Sequence, residues 1–366
     1  VKINTDVVPA GGLIMTIKSR AAVITEKGRV EVRTIDIPEP KQGEVLIRQK
    51  AAALCTLEQR FFSGVLPVYP GVWGHEVSGI VEAIGPGTET PLKVGDFVAR
   101  GCGSACDQCY VCAMGQDSKC AVEQRRLKEQ QTSNRPDGIK GIFGISEYSV
   151  VDPRNLAPMA KDIPFEQAAL AEPIACAVSG VNKLDIELGQ TVVVIGGGAM
   201  GLANVFVAKN RGAFVVVSEL NPERREKALA CGAHAVLDPA QGNIADQLKS
   251  INDGRLADVV IVTIGLKPAN EQALQLAAPN GKIMLFASAH PSEPLTIDPN
   301  VIHRTGITIT GNTSKNRKDL IQASLLISRK IIDVRPMIEK VVPLEEAQYA
   351  FEEAVRPDTY RIIISL

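Results

Sequence analysis

The stretch Thr191-Val192-Val193-Val194-Ile195-Gly196-Gly197-Gly198-Ala199-Met200-Gly201 decides how the C-terminal half of the chain folds. A β-favouring run leads without a break into a glycine-rich turn, and a helical pattern follows to about Arg211. A glycine-rich turn by itself has an ordinary structural explanation; a strand before it and a helix after it point to a dinucleotide. In that setting Gly196 permits the tight turn, Gly198 lets the backbone approach a pyrophosphate, and Gly201 lets helix and strand pack closely. The helix N-terminus then offers unpaired N–H groups to the anion.

Outward from this turn, apolar runs recur at Thr191–Ile195, Phe214–Val217, Ala235–Leu237, Val259–Thr263, Lys282–Phe286 and Ile307–Thr310, with amphipathic helices between them. That alternation predicts an α/β unit with a doubly wound parallel sheet. The second run ends at Ser218-Glu219, eighteen residues past Gly201. An acid there accepts hydrogen bonds from the adenosine ribose and repels a 2′-phosphate, so Glu219 favours NAD over NADP. Arg224 and Arg225 either meet that phosphate or are solvated helix residues after the cap Asn221-Pro222.

The N-terminal part has a different texture. Arg20–Thr25, Val45–Ala51, Glu76–Ile84 and Asp96–Arg100 read as strands broken by turns such as Gly85-Pro86-Gly87, giving a β-rich, barrel-like domain. An Ala-rich helix is expected over Phe165–Leu184, helices over Asp319–Arg329 and Leu344–Val355, and a last strand, Tyr360–Leu366, that returns to the first domain. A length of 366 residues suits two domains, and 45% hydrophobic with 22% charged residues is ordinary globular composition. A net charge of −1 leaves no electrostatic footprint for nucleic acid or an anionic membrane. No apolar run approaches the roughly 20 residues of a membrane span. Val1 to Ile14 lacks the pattern of a secretory signal, Met15 reads as an alternative start, and the cytoplasm is the expected compartment.

Half of the eight cysteines fall within fifteen residues: Cys106, Cys109, Cys112 and Cys120, spaced x2, x2, x7. Four thiolates in one loop close a tetrahedral shell with no open position, which is a structural metal site. The plainer alternative, free thiols in a loop, leaves such a crowd of reactive groups without a reason. Cys102 falls outside the spacing. A second constellation is dispersed: Cys55, Gly74-His75-Glu76 and Ala171-Glu172-Pro173. Taken singly, each has a dull explanation as a core or solvated residue.

Together, Gly74-His75-Glu76, the four-cysteine lobe, Val94-Gly95-Asp96, Glu147-Tyr148 and the turn at Gly196–Gly201 carry a resemblance. In order and spacing the chain resembles the zinc-dependent medium-chain dehydrogenase/reductase family, the alcohol and polyol dehydrogenases, over nearly its whole length. The resemblance implies a GroES-like catalytic domain (1–174 and 313–366) facing a Rossmann domain (175–312). It implies a catalytic zinc on Cys55 and His75, and a structural zinc on the cysteine lobe. Where alcohol dehydrogenases place a second cysteine this chain has Glu172, as in the sorbitol and threonine dehydrogenase branch, where that glutamate and the acid after the histidine, here Glu76, contact zinc directly or through water. The implied reaction is oxidation of a secondary alcohol (polyol, sugar derivative or amino alcohol) by hydride transfer to NAD. The expected assembly is a homodimer or homotetramer.

The chain departs from the family pattern near the first ligand. Leu57 stands where a Ser or Thr usually passes the substrate proton outward, and the hydroxyl moves to Thr56. Arg60 replaces a histidine, Glu58 keeps an acid as support, and Phe61 stands where polyol enzymes tend to place a tyrosine. Thr56, or a zinc-bound water held by Glu172, becomes the expected proton exit, and Lys315 the basic residue after the last Rossmann strand. Two other functions fit the fold. A zinc-free quinone or enoyl reductase is opposed by both ligand sets, and a non-catalytic nucleotide-binding protein by their intactness.

Overall fold

The computed structural model describes residues 16–366 except 102, 104, 131, 133 and 134. The readings of Val1 to Ile14, Met15 and Cys102 therefore lie outside the described residues. Six parallel strands form one sheet in the spatial order Ala235–Leu237, Phe214–Ser218, Thr191–Ile195, Ala257–Val262, Ala277–Leu285, Thr308–Gly311. The chain reverses its direction of growth beside Thr191–Ile195, and in open α/β sheets the crevice at that switch point, outside the carboxyl ends of the strands, takes the ligand. Val192, Val193 and Val194 are fully buried on both faces, as a parallel strand covered by helices requires. Each such side chain contributes about 1.5–3 kcal/mol by leaving water.

The remaining strands form two further sheets. Arg29–Pro38, Thr16–Glu26, Gly71–Val72 and Lys140–Gly141 make one; Ile338–Pro343, Arg361–Ser365, Val45–Ala53, Glu76–Ile84, Phe97–Arg100 and Leu156–Pro158, joined by Tyr148–Val151, make the other. Strand Arg29–Pro38 escapes the sequence reading. Its Val30, Ile35 and Ile37 are buried, while Glu31 and Arg33 between them pair with each other at the surface, so the apolar signal is thin. The last strand does return to the N-terminal part: Arg361–Ser365 runs antiparallel to Val45–Ala53, with Ile363 opposite Ala53. Glu76 lies opposite that same Ala53 from the other side. Three neighbouring strands thus bring Cys55, Glu76 and Arg361 to one end of the sheet.

The Ala-rich segment is two helices, Phe165–Ala168 and Ala171–Leu184, where one was expected. Pro173 explains the break. Inside a continuous helix its ring would clash with the carbonyl of residue 169, whereas the first turn of a new helix needs no N–H there. The restart places Glu172 in that first turn, buried and facing the catalytic end. No helix among the described residues is long and apolar enough to cross a membrane.

Candidate active site

Cys55 is the N-cap of helix Thr56–Ser63, and Glu58, three residues on, closes the capping box by accepting from the Cys55 backbone N–H at 3.1 Å. The other Glu58 oxygen accepts from the Gly74 N–H (3.1 Å) and meets His75 Nδ1 at 2.9 Å. One fully buried carboxylate therefore fixes both the thiol and the imidazole, and leaves His75 Nε2 to bind a metal. Ligand atoms of Cys55, His75 and Glu76 all lie within 4.8 Å of one another. Thiolate, imidazole and carboxylate are the donor types zinc takes, so the residues fit that ion. Burial alone would lower the His75 pKa, but Glu58 and Cys55 hold it well above its ordinary value. A metal must displace that proton. Zinc should therefore be lost to a chelator faster as pH falls, which zinc release from pH 8 down to pH 6 would measure.

Glu172 lies close by but is engaged elsewhere. Its Oε1 is 2.9 Å from Lys315 Nζ, both groups being buried, and Cys176 Sγ approaches the same oxygen at 3.7 Å. Burial raises its pKa, but Lys315, His75 and Arg361 together outweigh that effect and leave the carboxyl below its usual value. Gly101 makes the room: a Cβ there would stand 3.1 Å from Lys315 Cε. Lys315, read from sequence as the basic residue after the last Rossmann strand, is thus a buried counter-ion to Glu172. Thr56 is exposed, with Oγ1 3.7 Å from Cys55 Sγ. Phe61 points into the core and stacks on Trp73 with ring centroids 3.8 Å apart, away from any pocket role.

The sequence reading missed Arg361. Its guanidinium donates to both oxygens of Glu76 (2.9 and 2.7 Å) and lies 3.5 Å from Cys55 Sγ and from Met200 Sδ of the glycine turn. A signal was available: one arginine in an otherwise apolar final strand must find a buried partner. Burial raises the Glu76 pKa despite this partner.

The cysteine lobe comes together as its spacing requires. Sγ distances are 4.0 Å for Cys106–Cys112, 3.4 Å for Cys109–Cys112 and 4.0 Å for Cys109–Cys120. Four thiolates about 2.3 Å from one zinc stand about 3.8 Å apart, so the cluster is already near metal geometry. In this loop Tyr110 and Met114 are exposed, and packing contributes little. Cys112→Ser should release one zinc per chain and lower the thermal midpoint by several degrees, on a scale of ~2–4 °C per kcal/mol. Calorimetry with metal analysis checks both.

At the nucleotide turn, Gly196 has φ +104°, and a Cβ at Gly201 would stand 1.9 Å from the Gly196 carbonyl oxygen, so neither position accepts a side chain. Beside Gly198 a Cβ would meet only Arg224, with Nη1 3.7 Å away. Glu219 accepts from the Gly197 N–H at 2.7 Å and the Asn221 N–H at 2.9 Å, and edges an open depression shared with Pro222 and Asp358. Arg225 is committed to the Glu219 and Leu220 carbonyls and to Asp238; Arg224 lies 3.4 Å from Asp358. Tyr360 adds a contact that no local pattern announces. Its hydroxyl donates to the Gly197 carbonyl at 3.0 Å, and burial pushes its pKa up to about 12, which keeps it a donor.

Comparison with known proteins agrees with this arrangement. Residues 41–161 match the alcohol dehydrogenase GroES-like domain, and residues 199–329 match the zinc-binding dehydrogenase model. An L-threonine 3-dehydrogenase of Pyrococcus horikoshii is 33% identical over 364 residues, covering 96% of this chain and 100% of its own. A D-arabitol-phosphate dehydrogenase of Enterococcus avium is 27% identical, covering 90% and 92% respectively. A structure from Sinorhizobium meliloti 1021, assigned to the zinc-binding dehydrogenases and solved with NADP, superposes with TM-score 0.84 at 25% identity, covering 96% of this chain and 100% of that one. With its GroES-like part and its parallel-sheet part both matched, the chain belongs to the zinc-type medium-chain alcohol dehydrogenases, oxidoreductases that use zinc and a nicotinamide nucleotide.

Proposed function

We propose that the chain oxidises a secondary alcohol (a polyol, a sugar derivative or an amino alcohol) to the ketone, with NAD as hydride acceptor. The observation that carries this reading is the juxtaposition of Cys55, His75 and Glu76 with the glycine turn, joined through Arg361. Cys55 and His75 hold the zinc, Glu76 contacts it directly or through water, and Glu172 supplies the remaining carboxylate when it leaves Lys315. Zinc bound there supplies Lewis acidity that lowers the pKa of the substrate hydroxyl, and the nicotinamide takes the hydride. Glu58 fixes the His75 tautomer throughout. Thr56, exposed beside Cys55, passes the released proton to solvent, with water held by Glu172 as the second route. Cys106, Cys109, Cys112 and Cys120 keep a separate, structural zinc.

The same proposal places the catalytic part at 1–174 and 313–366, the Rossmann part at 175–312, and the protein in the cytoplasm as a homodimer or homotetramer. The outer strand Thr308–Gly311, with Val301 and Ile302 exposed just before it, offers an edge for a second copy. An oxidation screen across polyols, sugar acids and amino alcohols, read at the absorbance of reduced nicotinamide, tests the reaction. No turnover with any alcohol, or turnover that survives zinc removal, would favour the zinc-free reductase.

NAD preference rests on Glu219, whose charge lies where a 2′-phosphate would sit. Glu219→Ala should narrow the ratio of kcat/KM for NAD over NADP by about tenfold or more, equivalent to roughly 1.4 kcal/mol. A parent enzyme that already prefers NADP would show that Glu219 does not set the choice.

A further inference from the structure

We infer that Arg60 recognises a phosphate or carboxylate on the substrate, so that the site takes anionic secondary alcohols. The inference rests on the dehydrogenase reading above and narrows its substrate class. Arg60 lies on the helix that Cys55 caps, five residues past that cysteine, about 7.5 Å along the helix axis. From there its side chain crosses to the other domain: Nη2 donates to Ser288 Oγ at 3.1 Å and to the Ser288 carbonyl at 3.4 Å. Ser288 follows strand Ala277–Leu285 at its carboxyl end, the end that also carries the glycine turn. The guanidinium therefore ties the helix that Cys55 caps to the strand end beside the nucleotide turn.

The charges around the metal ligands are paired. Arg361 is paired with Glu76, Lys315 with Glu172, and His75 with Glu58. Among the described residues no carboxylate pairs with Arg60, and Nη2 makes both of its bonds, to neutral groups. Nε and Nη1 keep N–H groups of their own beside this charge, each able to donate a charge-assisted hydrogen bond to an anion. An arginine stays charged at any working pH, so it binds an anion and does not relay a proton.

Binding can be read without turnover, by titrating the zinc- and NADH-loaded enzyme and following nicotinamide fluorescence. Two matched pairs serve as probes: D-arabitol phosphate against D-arabitol, and L-threonine against L-threonine amide. The anionic member of one pair should bind about 10–100-fold tighter than its neutral counterpart, as a charge-assisted contact implies. Which pair shows the preference tells phosphate from carboxylate. Arg60→Gln should remove that preference while leaving the neutral compounds within about twofold, and Arg60→Lys, which keeps the charge on a compact ammonium with fewer donors, should restore only part of it. Equal affinity within both pairs, no binding of either anion, or an equal loss on neutral and anionic compounds in Arg60→Gln would overturn the inference; the last result would make Arg60 a tie between domains. Anions that bind through Arg60 but are never oxidised would instead sink the dehydrogenase reading and leave this one standing.

Discussion

Cys55→Ser and His75→Ala should each abolish alcohol oxidation while NADH binding stays within a few-fold of the parent. The thiolate is the softest and most charge-donating group of the set, and Ser cannot replace it at zinc. His75→Ala removes a ligand and also leaves the buried Glu58 without its partner at 2.9 Å. Lewis-acid activation is worth several kcal/mol at the transition state, so a fall of about 10³–10⁴ in kcat is expected where zinc is lost. The glycine turn lies on a separate sheet, and its shape is set by the close approach of Gly201 to Gly196. Glu172→Gln should keep more zinc than Cys55→Ser yet lose much of the rate, because it removes a charge and not a thiolate. Metal content, NADH titration and kcat measured on the same preparations separate these outcomes. Full activity in Cys55→Ser would move the chain to the zinc-free reductases.

What could be read from the sequence divides along a physical line. The glycine turn and the cysteine lobe are local devices, their residues set by backbone conformation and by ligand spacing within a few turns of chain. Both assemble as their patterns imply, down to the Gly201–Gly196 approach and the 3.4–4.0 Å sulfur distances. Cys55, His75, Glu76 and Glu172 come from distant segments, and only resemblance to a family grouped them. The charges that surround them were harder still. Arg361 reaches Glu76 because the last strand pairs with Val45–Ala53, and that register is a tertiary fact. Lys315 is legible only as the basic residue after the last Rossmann strand; its burial on Glu172, packed over Gly101, is set by tertiary packing. Pro173 was in plain view, and its power to split the helix follows from its missing N–H.

Arg361→Met should cost about 3–5 kcal/mol of stability, because it strands a buried carboxylate. Glu76 and Arg361 are 1% and 5% exposed, and the guanidinium holds both carboxylate oxygens. With the cation gone, burial has less to oppose it, and the Glu76 pKa, already above its ordinary 4.5, rises further. The folded state then binds a proton that the unfolded state releases, so stability falls as pH rises from about 4.5 through the folded value. The deficit relative to the parent should accordingly be full at neutral pH and shrink on acidification, which thermal melts at pH 7.5 and pH 5 can show. Two compensations identify the cause. Glu76→Gln in the Arg361→Met background removes the stranded charge and should recover most of the loss. Added zinc should recover part of it with Glu76 intact, because a cation held by Cys55, His75 and Glu76 neutralises the same carboxylate and stabilises the state that binds it. A deficit that neither the second substitution nor zinc reduces would mean that Arg361 contributes through packing against Met200 and Cys55, and that Glu76 was never the group it serves.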